Sequence, residues 1–455
     1  MGTDTGISVA VYSRDGVYLY GDGVADILTG ELVSSDTAFY VASSTKSFTS
    51  LALQIFEYQG KLSLQSSLSA FSPGIRIPII VDADKVKLQD LLTHTSGIDN
   101  EGIGFRSAYS GVHSFEKLKA LISASEPNLE APLGTFSYTN VGYNILSILL
   151  ESELDETWQD LITVNIINRL GMDRTSARFS YAVDEGWSIA YPHLPSPDGA
   201  MRSARLRKTD ETMHAAGGLI MSARDALKWL ELFVENGSVG GETYFPPEMI
   251  VNSRRTVAQV DTKFGPYDRD GYGLGWYIGR YNDELLVHHF GSFPGYRAHI
   301  SYMPDRQIGV AVFVNEALAG SLIADQIANW VYDRHDGKEI PAGQIEQLSA
   351  QYKRILGSLA GREASLTSRP WRLALEKESY IGNFVHSQLG QLSLTENDDE
   401  LWAEIGMLSA PLQPYDAEET ARVELIPMSG SLLKFDIVDG EVIGAYWNDV
   451  RFEKQ

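Results

Sequence analysis

Apolar and polar positions alternate along Gly6-Ile7-Ser8-Val9-Ala10-Val11-Tyr12, which predicts a strand that opens the chain. Asp15-Gly16 supplies a hairpin turn, and Val17-Tyr18-Leu19-Tyr20 reads as the return strand. The run Phe48-Thr49-Ser50-Leu51-Ala52-Leu53-Gln54-Ile55-Phe56 is apolar on every side, so it predicts a buried helix that stops at Gly60. Helical periodicity returns over Val141–Glu151 and Ala223–Asn236, separated by Gly/Pro/Ser-rich loops. Strands resume over Tyr272–Ile278, Leu285–His289, Ala298–Met303 and Ile308–Asn315, followed by a helix over Ser321–Asp333.

Strands at both ends and helices between them are accommodated most simply by one antiparallel sheet flanked by helices, an α+β fold. Residues 337–379 read as a partly helical polar connector. From Tyr380 the pattern changes to short alternating strands with turns at Asn397-Asp398-Asp399 and Asp439-Gly440, expected to form a small antiparallel barrel-like unit. The expected division is therefore 1–336, 337–379 and 380–455.

Composition narrows the function classes. With 37 basic and 60 acidic residues the net charge is −23, which opposes binding to nucleic-acid phosphates. The absence of cysteine excludes disulfides, thiol catalysis and cysteine-ligated metals. No stretch of 18 or more apolar residues predicts a membrane span, and no signal-peptide pattern opens the chain. The nine histidines show no His-Glu-x-x-His spacing, so neither a metal nor a cofactor is expected. The compartment stays open, and so does assembly into a homo-oligomer.

The chemistry begins at Ser43-Ser44-Thr45-Lys46. On a helix, residues three apart share a face, so the Lys46 amine can reach the Ser43 hydroxyl. An alcohol is a weak nucleophile until a base takes its proton, and a lysine excluded from water can supply that base. A nucleophile at a helix start also has backbone N–H groups nearby. Chance alone yields about one Ser-x-x-Lys in a chain of this size. A second copy, Ser114–Lys117, is expected on a solvated surface.

Two later segments can complete such a site. Tyr138-Thr139-Asn140 precedes the Val141 helix, and its phenol can act as acid or base if cations lower its pKa. His289-Phe290-Gly291 ends a strand that can present a backbone N–H, and Gly291 permits close approach.

Ser43-x-x-Lys46, Tyr138-x-Asn140 and His289-x-Gly291, in this order and spacing, resemble the class C β-lactamase and penicillin-recognising serine hydrolase family. Leu91–Gly97, Gly217–Ser222 and Gly271–Trp276 resemble its connecting segments, so the likeness covers about residues 6–335. The resemblance implies an acyl-enzyme on Ser43, acid–base work shared by Lys46 and Tyr138, and Asn140 orienting Lys46 and contacting substrate. It also implies an oxyanion hole from the N–H groups of Ser43 and Ser292, with His289 helping to bind substrate and tuning Tyr138. Residues 380–455 resemble the lipocalin-like domain carried by several relatives.

One departure is chemical. His289 stands where typical β-lactamases carry a lysine, and a largely neutral histidine suits a substrate carboxylate poorly. The expectation therefore moves from β-lactams to a peptidase or amidase of small peptides, with D-residues among the candidates. An esterase and a peptide-cyclising acyltransferase are the alternatives, and a silent binding protein is the remaining one. A second departure is the lack of a helix before the first strand; a connector helix at 343–358 or a partner subunit is expected to cover that face. Phe105, Tyr109, Trp276, Phe293 and Tyr296 are candidates to line the cleft, with Trp276 assigned to the substrate. His94 and His288 are expected to be structural.

Overall fold

The computed structural model describes residues 4–78, 81–196, 198 and 200–455. Strands β1 (Ile7–Ser13) and β2 (Gly16–Asp22) form the opening hairpin. Ser13 pairs with Gly16, so the two-residue turn is Arg14-Asp15 rather than Asp15-Gly16. Gly16, at φ +154, extends into the return strand. Strand β3 (Ala38–Tyr40) leads through a single 3-10 turn, Ala42–Ser44, into helix α1 (Thr45–Tyr58). Helix α2 (Val141–Leu154) follows, then strand β4 (Ile220–Ser222), which pairs with β3, and helix α3 (Ala223–Val234).

The second half supplies most of the sheet: β5 (Ala258–Phe264), β6 (Tyr267–Tyr272), β7 (Tyr277–Tyr281), β8 (Glu284–Phe293), β9 (Tyr296–Met303) and β10 (Ile308–Val314). The strand order is β5-β6-β7-β8-β9-β10-β1-β2, antiparallel throughout. The antiparallel sheet built from both chain ends is thus present.

The strand expected over Tyr272–Ile278 is instead the join between β6 and β7. Gly273 N–H bonds the Trp276 carbonyl at 2.8 Å, and Gly275 takes φ +81, so the chain reverses there. Gly275 also abuts the start of α1, where a Cβ would lie 2.7 Å from the Lys46 carbonyl. Alternation alone hid this turn because Tyr272, Leu274, Trp276 and Ile278 keep a strand-like spacing.

Both faces of the sheet are covered. In β10, Ala311 and Phe313 join the core that contains α1 and α3, while Val310, Val312 and Val314 join the opposite core under helix α4 (Ala317–His335). A strand buried on both faces reads as a continuous apolar run, as Ile308–Val314 does. Helix α5 (Gln344–Thr367) lies outside α4, with Tyr352 and Leu356 in that second core. It does not cover edge strand β2, where Val17 and Tyr18 stay 63 % and 57 % exposed.

The C-terminal strands close into an eight-stranded antiparallel barrel. They are β11 (Gly382–His386), β12 (Gly390–Asn397), β13 (Glu400–Ile405), β14 (Leu408–Pro414), β15 (Thr420–Val423), β16 (Leu432–Val438), β17 (Glu441–Trp447) and β18 (Val450–Lys454). The β13–β14 turn seats on the other unit: Met407 N–H bonds the Ser110 carbonyl at 3.0 Å, and Thr209 Oγ1 donates to Met407 Sδ at 3.2 Å. Arg106 bonds the Gln388 carbonyl, and Phe105 stacks edge-on against Trp447 at 5.3 Å. No helix among the described residues is long and apolar enough to cross a membrane.

Candidate active site

Ser43 sits in the 3-10 turn between β3 and α1, not in the helix itself. Ala42, just before it, is held at φ +45, a conformation that L-residues with a Cβ adopt at a cost. The turn is pinned on two sides. Ser44 Oγ donates to the His289 carbonyl on β8 at 2.9 Å, and Val41 N–H bonds the Leu219 carbonyl at 3.0 Å. Gly291 faces the same turn, and a Cβ there would fall 2.0 Å from the Val41 carbonyl oxygen. Only glycine permits that approach.

Lys46 opens α1 and is 0 % exposed. Its Nζ lies 3.2 Å from Ser43 Oγ and donates to Asn140 Oδ1 at 2.7 Å and to the Ala216 carbonyl at 2.8 Å. Among the described residues no carboxylate pairs with it. Burial holds its pKa well below the usual lysine value. The 215–219 segment wraps the start of α1: Thr49 Oγ1 donates to the Ala215 carbonyl at 2.8 Å, and Leu219 N–H donates to Thr45 Oγ1 at 3.1 Å. Gly218 allows this wrapping, since a Cβ there would lie 2.1 Å from the His214 nitrogen.

Asn140 sits at the N-cap of α2, and Tyr138 lies two residues earlier, its hydroxyl near enough to Ser43 to be influenced by it. The condition of cations lowering the Tyr138 pKa is not met; the direction is upward. Burial raises it, outweighing the influence of Ser43 and the positive charge of Arg269. The residue keeps 40 % of its surface exposed, which tempers the rise. The phenol is therefore protonated in the resting site. His94 supports its loop: Thr139 N–H donates to His94 Nδ1 at 3.3 Å, and Ser137 N–H donates to the His94 carbonyl at 2.8 Å. Burial keeps His94 neutral, consistent with its expected structural part.

His289 is 1 % exposed, with both ring nitrogens already engaged. Its Nδ1 donates to the Phe290 carbonyl at 3.1 Å, and its Nε2 accepts from the Tyr272 hydroxyl at 3.0 Å. Burial, reinforced by Lys46, depresses its pKa far enough to keep it neutral. It therefore adjoins Tyr138, at 6.0 Å between ring centroids, without presenting a charge or a free nitrogen to substrate. Gly291 and Ser292 lie on the same strand, which runs on to Phe293 instead of ending at His289; Ser292 is exposed. His288 points to the opposite face, stacked on Phe290 at 4.5 Å and accepting from Arg269 Nε at 3.1 Å.

Trp276, expected at the substrate, belongs to the core. It is 1 % exposed and packs edge-on against Phe233 at 4.8 Å and Tyr302 at 5.5 Å. The second Ser-x-x-Lys is a helix cap, with Ser114 Oγ accepting from Lys117 N–H at 3.2 Å.

Three features escaped the sequence reading. Arg269, on the unforeseen strand β6, stacks over Tyr277 at 3.9 Å and is the cation whose field reaches Tyr138 and His289. The Ala216 carbonyl holds Lys46, a position that the Gly217-Gly218 pair alone could have signalled. The barrel also meets the site's border at Asn140: a cavity of about 770 Å³ is lined by Tyr109, Thr139 and Asn140 together with His386, Gln388 and Arg451 of the barrel, and Ser43, Lys46 and Tyr138 are not among its lining residues.

The family model described as Beta-lactamase matches residues 3–330. The chain belongs to the beta-lactamase family. Among curated relatives, Protein flp of Staphylococcus aureus is 22% identical over 312 residues, covering 68% of this chain and 59% of that protein. The chain thus spans about six-tenths of the length of that relative. The unguisins hydrolase ungD' of Aspergillus campestris is 23% identical over 465 residues, covering 97% of this chain and 82% of that protein. The octameric penicillin-binding protein homologue from Pyrococcus abyssi superposes with a TM-score of 0.60 and 23% identity, covering 99% and 96% of the two chains. The D-amino acid amidase from Ochrobactrum anthropi SV3 gives 0.57 and 18%, covering 69% and 86%. These two structures share the family fold.

Proposed function

We propose that this member of the beta-lactamase family is a serine amidase or peptidase working through an acyl-enzyme on Ser43. The observation that carries the proposal is the valence of Lys46. A neutral amine has two N–H donors and one lone pair. Asn140 Oδ1 and the Ala216 carbonyl occupy the two donors, and the third partner is Ser43 Oγ at 3.2 Å. The lone pair is thereby directed at the Ser43 hydroxyl, and burial without a carboxylate keeps the amine unprotonated.

As Ser43 Oγ bonds the carbonyl carbon, its proton passes to Lys46 Nζ. Tyr138, protonated at rest, donates its hydroxyl proton to the leaving nitrogen and recovers one from the Lys46 ammonium. Water then enters by the reverse route and releases the acyl group. The oxyanion is received by the N–H groups of Ser43 and Ser292. The two-residue turn Pro294-Gly295 makes Phe293–Tyr296 the closing pair of the β8–β9 hairpin, and alternation along the ladder then turns the Ser292 N–H away from β9.

Small peptides, including those with D-residues, are the substrates this reading favours. A neutral His289 offers no fixed cation to a β-lactam carboxylate, and an unguisins hydrolase and a D-amino acid amidase are among the proteins this chain resembles. The test is covalent labelling with a fluorophosphonate followed by peptide mass spectrometry. An adduct on Ser43, absent from Ser43→Ala, is expected; equal labelling of the two proteins, or none, would overturn the assignment. Turnover of D- and L-aminoacyl amides, with nitrocefin as comparison, then reads the substrate class.

A further inference from the structure

A second cavity, of about 370 Å³, opens where α5, residues 194–195 and 202–206, and barrel strands β14 and β15 meet, and none of the candidate catalytic residues line it. Its charge runs against the chain. In a protein of net charge −23, Arg202, Arg205, Arg362 and Arg422 converge on this cavity, and Glu424 is its one carboxylate among the described residues.

Glu424 does not neutralise the group. Its oxygens bond Arg422, lie 3.7 Å from Arg362 Nη2 and accept from Gly430 N–H at 3.2 Å. The Arg362 and Arg422 guanidiniums crowd together over Gly430, where a Cβ would lie 3.3 Å from one Nη2 and 3.5 Å from the other. Arg205 is held over the Trp402 ring at 4.6 Å, and among the described residues neither it nor Arg202 has a carboxylate partner. Arg422 has a side chain only 10 % exposed, and its buried Nε has no hydrogen-bond partner among the described residues. Fixed guanidiniums with donors to spare are the usual means of holding a carboxylate or phosphate. Leu359 and Leu366 from α5, with Leu206 and Met428, add apolar surface to a lining that also holds Ser203, Ser409 and Gln413. Free phosphate would leave that apolar surface uncovered. The volume is in the range of small-molecule sites, about 300–1,000 Å³.

We infer that this cavity is a binding site for an amphiphilic anion, an aliphatic carboxylate whose head meets the arginines and whose chain lies against the leucines of its lining. Decanoate, 1-decanol and inorganic phosphate, titrated calorimetrically into the full chain, test it. Decanoate is expected to saturate one site per chain, and the alcohol and phosphate to bind at least about tenfold more weakly. An Arg205→Gln/Arg362→Gln double variant, both side chains being exposed, should lose about tenfold or more while keeping its circular dichroism and aminoacyl amidase rate. Leu359→Trp narrows the cavity, retains every charge, and should lose binding likewise. Non-saturating decanoate, phosphate binding as tightly as decanoate, unchanged affinity in both variants, or loss of binding on fluorophosphonate treatment would each overturn the inference. The last result would place the anion in the catalytic cleft.

Discussion

Replacing Asn140 by Asp places a carboxylate 2.7 Å from Lys46 Nζ with almost no change of shape. At an effective dielectric of about 20, a full charge pair at that distance is worth about 6 kcal/mol. At about 1.4 kcal/mol per pKa unit, this is an upper bound of about 4 units on the rise in the Lys46 pKa. Desolvation of the new carboxylate consumes part of it, leaving an expected rise of at least about 2 units. The pair then holds one proton at neutral pH, and the lone pair that should receive the Ser43 proton is occupied. In a kcat/KM profile from about pH 5 to 10, the acid limb should move up by about 2 units or more. Activity near neutrality should fall on the order of 10²-fold and recover as pH rises. Asn140→Leu, which removes the acceptor without adding charge, should not move the limb upward. A folded Asn140→Asp protein whose acid limb coincides with that of the wild type would refute Lys46 as the resting base.

The same amine leaves a signature in stability. Its folded pKa is depressed, so between that value and the unfolded lysine value the unfolded chain holds one more proton, and stability rises with pH. Urea unfolding of Lys46→Met should show a slope smaller by about 1.4 kcal/mol per pH unit across that window; equal slopes would mean a charged Lys46 in the native protein. Tyr138→Phe removes the hydroxyl beside Ser43 and should lower kcat on the order of 10²-fold, read on an aminoacyl anilide, with the unfolding midpoint little changed. Gly291→Ala puts a Cβ 2.0 Å from the Val41 carbonyl, so β8 must back away from the nucleophile turn; a loss of about 1–3 kcal/mol in urea should accompany a larger drop in turnover. Trp276→Phe should cost stability in the same unfolding assay and leave KM unchanged, because the ring packs on Phe233 and Tyr302 rather than on substrate.

What the sequence determined by itself was set by periodicity and by short-range spacing. The buried helix after Ser43, the strand that begins at Ile308 and five of the eight barrel strands were legible because burial imposes a period that a single segment must obey. The triplet of Ser43–Lys46, Tyr138–Asn140 and His289–Gly291 was legible because each motif is local, even though the three are brought together only in the fold. Tertiary structure decided what depends on partners distant in the chain. Trp276 went to the core because the Gly273–Trp276 turn aims it there, against a helix more than forty residues away. The directions in which the pKa values of Lys46, Tyr138 and His289 move follow from desolvation, a property of the packed surroundings that no motif encodes. Arg269, the Ala216 carbonyl and the barrel at the site's border arrive by the same long-range route. The residue types of the site could be read in order along the chain; which of them are desolvated, and which pack into the core, was fixed only when burial and long-range contacts were in place.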